Sequence, residues 1–425
     1  MEQAAVLDLP ATPGLPSGAP QRVRRRLVAV LVATQVLSGL GQSGAVAGAL
    51  LAYDLTGSDA AASLPLALIV LGATALALPV GVLSGHYGRR LGLTVALTAG
   101  GVGAAGTVTA GLLHQFGLLL VASVLFGAGN TAVMLARYAA ADLVPPARRG
   151  RAISLVVGAT TVGAVAAPNL LPSAGHLAGR LGLPPLTGLY LVSTVAYLLA
   201  AVLLLALLRP EPRSLAVATG GPRETTLRPS IRHLLDSSAA RAGLTAMVTA
   251  NFVMVAVMSM APVHLRQHDH SLSLVGLVVS LHVAGMFAPA PLTGWLTDRI
   301  GPLPVAIAGA LTLLGSSALV ATDGLCGFVM PVGLVLLGVG WNANLIAGSA
   351  LLAAAVPVAH RPWAEGAGEV GMGAVAIGGT AIAGPVVGLL NYPSLAVTGA
   401  VVAAVMVLAL WHAIAQPHPS SAVRR

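Results

Sequence analysis

Two short stretches in the second half of the chain carry side chains that could bind a soft metal ion. Met254-Val-Ala-Val-Met258 and His282-Val-Ala-Gly-Met286 each place two donors at positions i and i+4. On an α-helix this spacing puts both side chains on one face, about 6 Å apart along the axis. Thioether sulfur and imidazole nitrogen favour a soft ion such as Cu(I) over Mg²⁺ or Ca²⁺. The two pairs therefore predict a metal pathway, with ordinary methionine packing and a hydrogen-bonded buried histidine as the alternative.

Six amide side chains lie within long apolar runs and could line a polar pathway. Polar groups inside a membrane are costly, so they usually face a cavity or a partner helix. Gln35 and Gln42 are seven residues apart and share a helix face. A hydrogen bond between helices is the alternative for each amide. The predicted pathway residues are Gln35, Gln42, Asn130, Asn251, Asn342 and Asn344.

Charged residues near the ends of the apolar runs could act as a gate or take up protons. Burial or a nearby arginine can bring the titration of a carboxylate at a membrane edge close to neutral pH. Ion pairs that only hold a gate closed would have the same sequence signature. The predicted gating or coupling residues are Arg137, Asp142, Asp298, Arg299 and Glu369.

Three histidines follow the seventh apolar run. His264, His268 and His270, with the neighbouring Asp269, could gather cations before entry. His268 and His270 are two residues apart, so a turn could bring them onto one ion and a helix could not. A solvated loop is the alternative.

The composition indicates that lipid is the main solvent of this chain. Of 425 residues, 56% are hydrophobic and 8% are charged, whereas soluble domains carry about 25% charged residues. Apolar runs of about 20 residues fit helices that cross a bilayer, and the ten-residue alternation of membrane barrels is absent from the sequence. We therefore predict an all-α integral membrane protein of about twelve transmembrane helices. The predicted spans are 27–50, 63–84, 91–113, 116–140, 152–173, 187–208, 242–263, 272–292, 303–322, 325–352, 366–390 and 394–416.

The arginines predict the orientation. All 22 basic residues are arginines, and they flank apolar runs instead of forming a face for nucleic acid. With a cytoplasmic amino terminus, nineteen arginines fall in inner segments, and only Arg180 and Arg266 fall in outer ones. This bias follows the positive-inside rule. We predict a multi-pass protein of the cell inner (plasma) membrane, with both termini in the cytoplasm and no nucleic-acid partner.

A polar segment divides the chain into two halves of six spans. Gly81 and Gly294 are 213 residues apart, as are Gly88 and Gly301, which indicates a duplicated half. The predicted domains are a disordered cytoplasmic tail (1–26), two six-helix bundles (27–208 and 242–416), a cytoplasmic linker (209–241) and a second cytoplasmic tail (417–425).

The loops that contain these glycines resemble the signature of the major facilitator superfamily, Gly-x-x-x-Asp-Arg-x-Gly-Arg-Arg. The copy after the eighth span carries Asp298 and Arg299, whereas the copy after the second span has Gly85 in place of the aspartate and keeps Arg89 and Arg90. The resemblance extends from about residue 27 to residue 416. It implies two six-helix bundles that move solutes by alternating access.

The methionine and histidine pairs, with their flanking residues, resemble those of the CcoA-like copper importers of that superfamily. By that resemblance Met254, Met258, His282 and Met286 would relay copper as the transported ion, and no cofactor would be permanently bound. The same group includes relatives associated with riboflavin uptake. The resemblance implies a monomer whose partners are membrane lipid and the transported ion or small molecule.

The leading functional prediction is copper uptake by a secondary active transporter. The alternative is transport of a small organic solute, by riboflavin-like uptake or by drug/proton antiport. An enzyme or a sensor would need a catalytic constellation or a soluble output domain, and the longest polar segment is the predicted linker. The phosphate-binding run Gly-x-x-x-x-Gly-Lys is also impossible because the chain has no lysine. We therefore predict no enzymatic activity.

Overall fold

The computed structural model describes residues 21–211, 234–267, 272–322 and 329–415. Over these ranges the regular structure is helical, with two short 3₁₀ turns at 146–148 and 185–187. The α-helices are α1 (Gln21–Gly41), α2 (Gly44–Thr56), α3 (Asp59–Ala62), α4 (Leu64–Tyr87), α5 (Arg89–Leu113), α6 (Phe116–Asp142), α7 (Arg149–Asn169), α8 (Leu171–Arg180), α9 (Gly188–Leu207), α10 (Ser238–Gln267), α11 (Leu272–Phe287), α12 (Ala290–Ile300), α13 (Pro302–Ala321), α14 (Val329–Ala355), α15 (Arg361–Leu389) and α16 (Tyr392–Ala415).

Ten helical segments of the described chain are long and apolar enough to cross a membrane. They correspond to ten of the twelve predicted spans. The first and fifth predicted spans are instead formed by consecutive shorter helices, α1 with α2 and α7 with α8. The second of these breaks precedes Pro172, which has no backbone N–H to continue the ladder of hydrogen bonds. The eighth span is likewise divided into α11 and α12, with Pro289 and Pro291 at the junction.

The helices pack into two groups. In the first half, α6 contacts α4 and α5, and α9 contacts α5 and α1. In the second half, α14 contacts α10, α11 and α13, while α16 contacts α10 and α13. The two groups meet mainly where α4 lies against α15 and where α7 lies against α12. These two helix pairs therefore form most of the interface between the halves.

The two contacts between the halves are equivalent. The residues of one contact are related to those of the other by nearly the spacing of the duplicated glycines. Gly81 of α4 lies against the Pro362 carbonyl of α15, and Gly294 of α12 lies against the Gly150 carbonyl of α7. A Cβ added at either glycine would be 2.6 Å from that carbonyl oxygen, too close for any side chain. Glycine is therefore required at both positions because the backbones touch.

Both contacts lie at one end of the molecule. Three of the helices that begin there have an arginine as their first residue: Arg89 in α5, Arg149 in α7 and Arg361 in α15. We call this end the arginine face. The halves are closed against each other at the arginine face, where the predicted gating residues also lie.

Candidate functional site

A layer of four buried charges joins the halves at the arginine face. Arg89 Nε lies 3.1 Å from Asp142 Oδ2, and Arg361 Nη1 lies 3.2 Å from Asp142 Oδ1. Arg89 Nη1 also lies 2.5 Å from Glu365 Oε2. Arg89 and Asp142 belong to the first half, whereas Arg361 and Glu365 belong to the second. The layer carries two positive and two negative charges and is therefore neutral.

A second layer lies one helical turn deeper. Arg137 Nη2 of α6 lies 2.5 Å from Glu369 Oε1 of α15. Arg137 also donates through Nε to Ser349 Oγ (2.8 Å) and through Nη2 to Tyr138 Oη (3.1 Å). Met247 completes the cluster, because its sulfur accepts from Ser349 Oγ at 3.3 Å. This pair again joins one half to the other. We call the two layers together the gate network, formed by Arg89, Arg137, Asp142, Arg361, Glu365 and Glu369.

The sequence of α15 explains why this helix supplies three members of the gate network. Arg361, Glu365 and Glu369 are spaced four residues apart, so they lie on one helix face about 6 Å apart along the axis. Buried charges are tolerated when they are paired, and removing one partner of such a pair is strongly destabilising. The face of α15 is therefore complementary to the charges of Arg89, Arg137 and Asp142 in the first half.

Asp298 holds the arginine face closed at a second place. Its Oδ1 accepts from the Gly150 backbone N–H at 2.8 Å, and its Oδ2 accepts from the Arg151 N–H at 3.2 Å. These donors belong to the first turn of α7, where N–H groups lack partners and the helix dipole favours an anion. The carboxylate of one half thus caps a helix of the other half.

The equivalent position in the first half has no such carboxylate, and the structure gives a physical reason. Gly85 occupies the position 213 residues before Asp298 and lies against the side chain of Pro362. Pro362 takes the place of Gly150 in the repeated contact, but it has no backbone N–H to donate. An aspartate at position 85 would therefore lack one of the two donors that Asp298 uses.

A carboxylate that follows the last helix of the first half caps a different helix, α5. Glu211 accepts from the Arg89 backbone N–H at 2.6 Å through Oε1 and from the Arg90 N–H at 3.3 Å through Oε2. Gly88, at the turn before α5, has a φ of +95°, a backbone conformation that residues other than glycine rarely adopt. Sequence reasoning did not single out Glu211, because it lies in the predicted linker far from α5.

Four of the five predicted gating or coupling residues form contacts between the halves, at two places. Arg137, Asp142 and Glu369 belong to the gate network, and Asp298 caps α7. Arg299 differs, because its guanidinium lies over the Trp295 ring, 4.9 Å from the centroid. Its neighbour Asp298 forms an ion pair with a different arginine, in the first half.

The sequence-based prediction missed three members of the gate network. Glu365 and Arg361 were not proposed as gating residues, and Arg89 was considered only as part of the family signature. The spacing of four between Arg361, Glu365 and Glu369 is a signal that could have identified the first two. Arg89 carries no such signal, because both of its acidic partners are remote in sequence.

Three of the predicted pathway amides lie in the first half. Gln35 Nε2 of α1 donates to the Val133 carbonyl of α6 at 3.0 Å, and Gln35 is buried. Asn130 Oδ1 of α6 accepts from Tyr197 Oη of α9 at 3.2 Å. Gln42 is half-buried at the break between α1 and α2. Two of these amides therefore join helices in this conformation.

The amides of the second half also form hydrogen bonds. Asn251 accepts from Trp341 Nε1 at 2.9 Å and donates to a carbonyl of α15. Asn342 donates to the Met286 carbonyl at 2.7 Å, which joins α14 to α11. Asn344 donates within its own helix and is fully buried. Hydrogen bonds between helices thus account for most of these amides.

The predicted metal ligands lie on α10 and α11. His282 is only 2% exposed, and its Nδ1 lies 2.7 Å from the Leu334 carbonyl of α14. A carbonyl only accepts, so Nδ1 carries the proton, and Nε2 is the nitrogen with a lone pair in the neutral ring. Met254, Met258 and Met286 are half-buried and pack against the apolar core.

The predicted capture histidines are only partly described. His264 stacks on Tyr392 with ring centroids 4.6 Å apart. His268 and His270 lie outside the described residues. Within the described ranges, no group of three or more His, Cys, Asp or Glu side chains is arranged to hold a metal ion.

Comparison with known proteins gives a consistent family assignment. The family model described as Major Facilitator Superfamily matches residues 31–341 and, in a second match, 258–425. The uncharacterised MFS-type transporter YddS of Bacillus subtilis is 36% identical over 91% of both chains. The riboflavin transporter RfnT of Brucella anthropi is 30% identical over 81% of this chain and 85% of that protein.

Solved structures agree on the architecture. The fucose:proton symporter of E. coli superimposes with a TM-score of 0.73 over 91% of this chain and 98% of that chain, at 18% identity. At this identity the similarity concerns the fold. It confirms the predicted fold class, an all-α membrane protein with the two-bundle architecture of these transporters.

Proposed function

Because the chain belongs to the major facilitator superfamily, we propose that it carries its solute by alternating access and that the gate network is its gate on the arginine face. The observation that supports this most directly is that every ion pair of the network except Arg89–Asp142 joins one half to the other. Rocking of the halves must separate those pairs. The state described here, closed at the arginine face, would be the outward-facing state.

The energetics of the gate network suit a reversible gate. A buried ion pair gains little net free energy, because its attraction is offset by the loss of hydration. Opening the arginine face would admit water to Arg137 and Glu369, and hydration would replace much of their mutual attraction. The ion pairs thus define how the halves meet in the closed state without making that state too stable to open, as alternating access requires.

We propose that the arginine face is the cytoplasmic face of a protein of the inner membrane. Nineteen of the 22 arginines fall on this side in the predicted topology, and cytoplasmic segments carry such an excess. In this orientation the described state would receive solute from outside the cell. The protein would act as a monomer in the uptake direction, with membrane lipid and the solute as its partners.

For the solute, we propose a small organic molecule of the riboflavin type. The supporting observation is the 30% identity to a riboflavin transporter over most of both chains. The half-buried methionines on α10 and α11 suit this proposal, because polarizable thioethers make favourable contacts with aromatic rings. Gln42, half-buried at the break in the first span, would be available to a polar group of the solute.

Copper is the second candidate. It is favoured by the i, i+4 spacing of Met254 with Met258 and of His282 with Met286. The tautomer of His282 agrees with it, because Nε2 keeps the lone pair that a metal would need. Against it, His282 is almost entirely buried in this conformation, so copper binding would require the ring or its neighbours to move.

One transport experiment separates the two candidates. Cells that express the chain would be assayed for uptake of radiolabelled riboflavin and of copper, beside the variant Arg137→Gln/Glu369→Ala, which should not transport. We expect saturable riboflavin uptake and no copper accumulation above the variant. The double variant Met254→Leu/Met258→Leu would be measured beside Met330→Leu/Met406→Leu, which changes two buried methionines elsewhere in the second half.

The outcomes are distinct. Copper uptake that is lost in Met254→Leu/Met258→Leu but kept in Met330→Leu/Met406→Leu would replace the riboflavin proposal with copper relay. Transport of neither solute by a well-folded protein would overturn both solute proposals. Riboflavin binding to the purified Arg137→Gln/Glu369→Ala variant would be measured as well. Binding without uptake would support the gate and leave the solute proposal intact, because binding does not require the gate to open.

A further inference from the structure

A groove beside the gate combines a basic rim with apolar walls. It is a cavity of about 750 Å³ between α1, α7 and the turn that precedes α7. We call it the headgroup groove. Its rim carries Arg24, Arg25, Arg148 and Arg151, and its walls include Val28, Val32 and Leu155.

The two sequences that form the groove share one pattern. On α1, Arg24, Val28 and Val32 follow each other at spacings of four, and on α7, Arg151 and Leu155 do the same. Each helix therefore presents an arginine at the arginine face and apolar side chains about 6 Å further into the membrane for each step. A ligand that fits both helices must be anionic at one end and apolar along its length.

The charges of the rim are only partly compensated. Arg24 and Arg25 form no ion pair with any residue of the described chain, and no carboxylate lines the groove. Arg148 interacts with Asp298 by charge attraction, at more than ion-pair distance. Arg151 is 55% exposed and forms a long ion pair of 3.6 Å with Asp298. Four guanidinium groups around one opening favour a phosphate, which guanidinium can bind through two parallel hydrogen bonds.

We propose that the headgroup groove binds one anionic phospholipid, with its phosphate among the four arginines and an acyl chain along Val28, Val32 and Leu155. The position of the rim at the arginine face puts the phosphate at the depth of lipid headgroups. Arg151 links this site to the gate, because the same guanidinium contacts Asp298, the residue that caps α7. The bound lipid would therefore help to position the residues that close the arginine face.

Lipid binding to the purified full-length protein tests this proposal. Native mass spectrometry would count bound phosphatidylglycerol and, separately, phosphatidylcholine of the same acyl chains. The variant Arg24→Gln/Arg148→Gln removes two rim charges outside the gate network. The control variant Arg22→Gln/Arg180→Gln removes two exposed arginines that do not line the groove. Melting temperatures without lipid would confirm that both variants are folded.

We expect one phosphatidylglycerol to bind in preference to phosphatidylcholine, and its affinity to fall about tenfold or more in the groove variant only, since each arginine near the headgroup contributes to anionic lipid binding. Equal binding of the two lipids, or equal loss in both variants, would overturn the proposal. Displacement of the lipid by equimolar inorganic phosphate would identify a phosphate site instead.

A variant that lacks residues 2–20 would be measured as well, because Gln21 also lines the groove. A large gain in lipid affinity in this variant would overturn the proposal and make the deleted segment the occupant of the groove.

Discussion

Arg137 and Glu369 are 232 residues apart in sequence, yet their side chains form an ion pair of 2.5 Å that is almost fully excluded from solvent. One residue belongs to each half of the molecule. The pair is therefore a contact between the halves. Each of its two charges would be left unpaired if the halves separated without admitting water. Its variants should report on stability and transport together.

Removing one member of this pair should be more harmful than removing both charges. We expect Arg137→Gln to destabilise the protein by about 3 kcal/mol or more, because it leaves the Glu369 carboxylate buried without a partner. Arg137→Gln/Glu369→Gln should recover much of the melting temperature, since two amides can hydrogen-bond to each other. Transport should be lost in the single variant. Equal melting temperatures for the single and double variants would contradict the assigned pairing.

The Asp298 cap should control the closure of the arginine face. Asp298→Asn removes a charge from the first turn of α7 and one of its two acceptors, so the face should open more often. Spin labels at Tyr87→Cys and Ile300→Cys, exposed at the ends of α4 and α12, would report the distance between the halves in a Cys326→Ser background. We expect a larger long-distance population. The same charge change at the exposed Asp54 should leave the distribution unaltered.

Close backbone contact should make Gly294 intolerant of any side chain. A Cβ there would collide with the Ser154 side chain and the Gly150 carbonyl, so Gly294→Ala should push α12 away from α7. The expected cost in the closed state is about 1–3 kcal/mol, as for other overpacked contacts. Gly315→Ala is the matched control, because no atom lies near its added Cβ and alanine favours a helix. Similar melting temperatures and distance distributions for the two variants would refute the contact.

The sequence was informative about spans and candidate charges, and less informative about which charges meet. Arg137, Asp142 and Glu369 could be selected because a charge beside an apolar run has few roles. Glu365 and Arg361 were missed because the predicted eleventh span began at residue 366, whereas α15 begins at Arg361. A span predicted from hydropathy ends before charged residues, but the helix itself continues through them when the other half provides residues of opposite charge. Which residues of the other half lie nearby depends on tertiary structure, and the sequence pattern of one helix carries no information about it.

His282 should respond differently to two amide substitutions, because an amide can replace either ring nitrogen. In His282→Asn the introduced amide lies near the position of Nδ1 and can keep the hydrogen bond to the Leu334 carbonyl. The longer side chain in His282→Gln places its amide near Nε2 and should lose that bond, at a cost of about 1–3 kcal/mol for the buried carbonyl. A structural role for His282 thus predicts a normal melting temperature and normal riboflavin transport for His282→Asn, and a lower melting temperature for His282→Gln. A metal role predicts that His282→Gln keeps more copper transport than His282→Asn, because only His282→Gln keeps a polar atom where Nε2 would face the ion. Melting temperatures and uptake of both solutes, measured in parallel, decide between them: copper transport that His282→Asn abolishes without loss of stability would show that Nε2 acts on the solute.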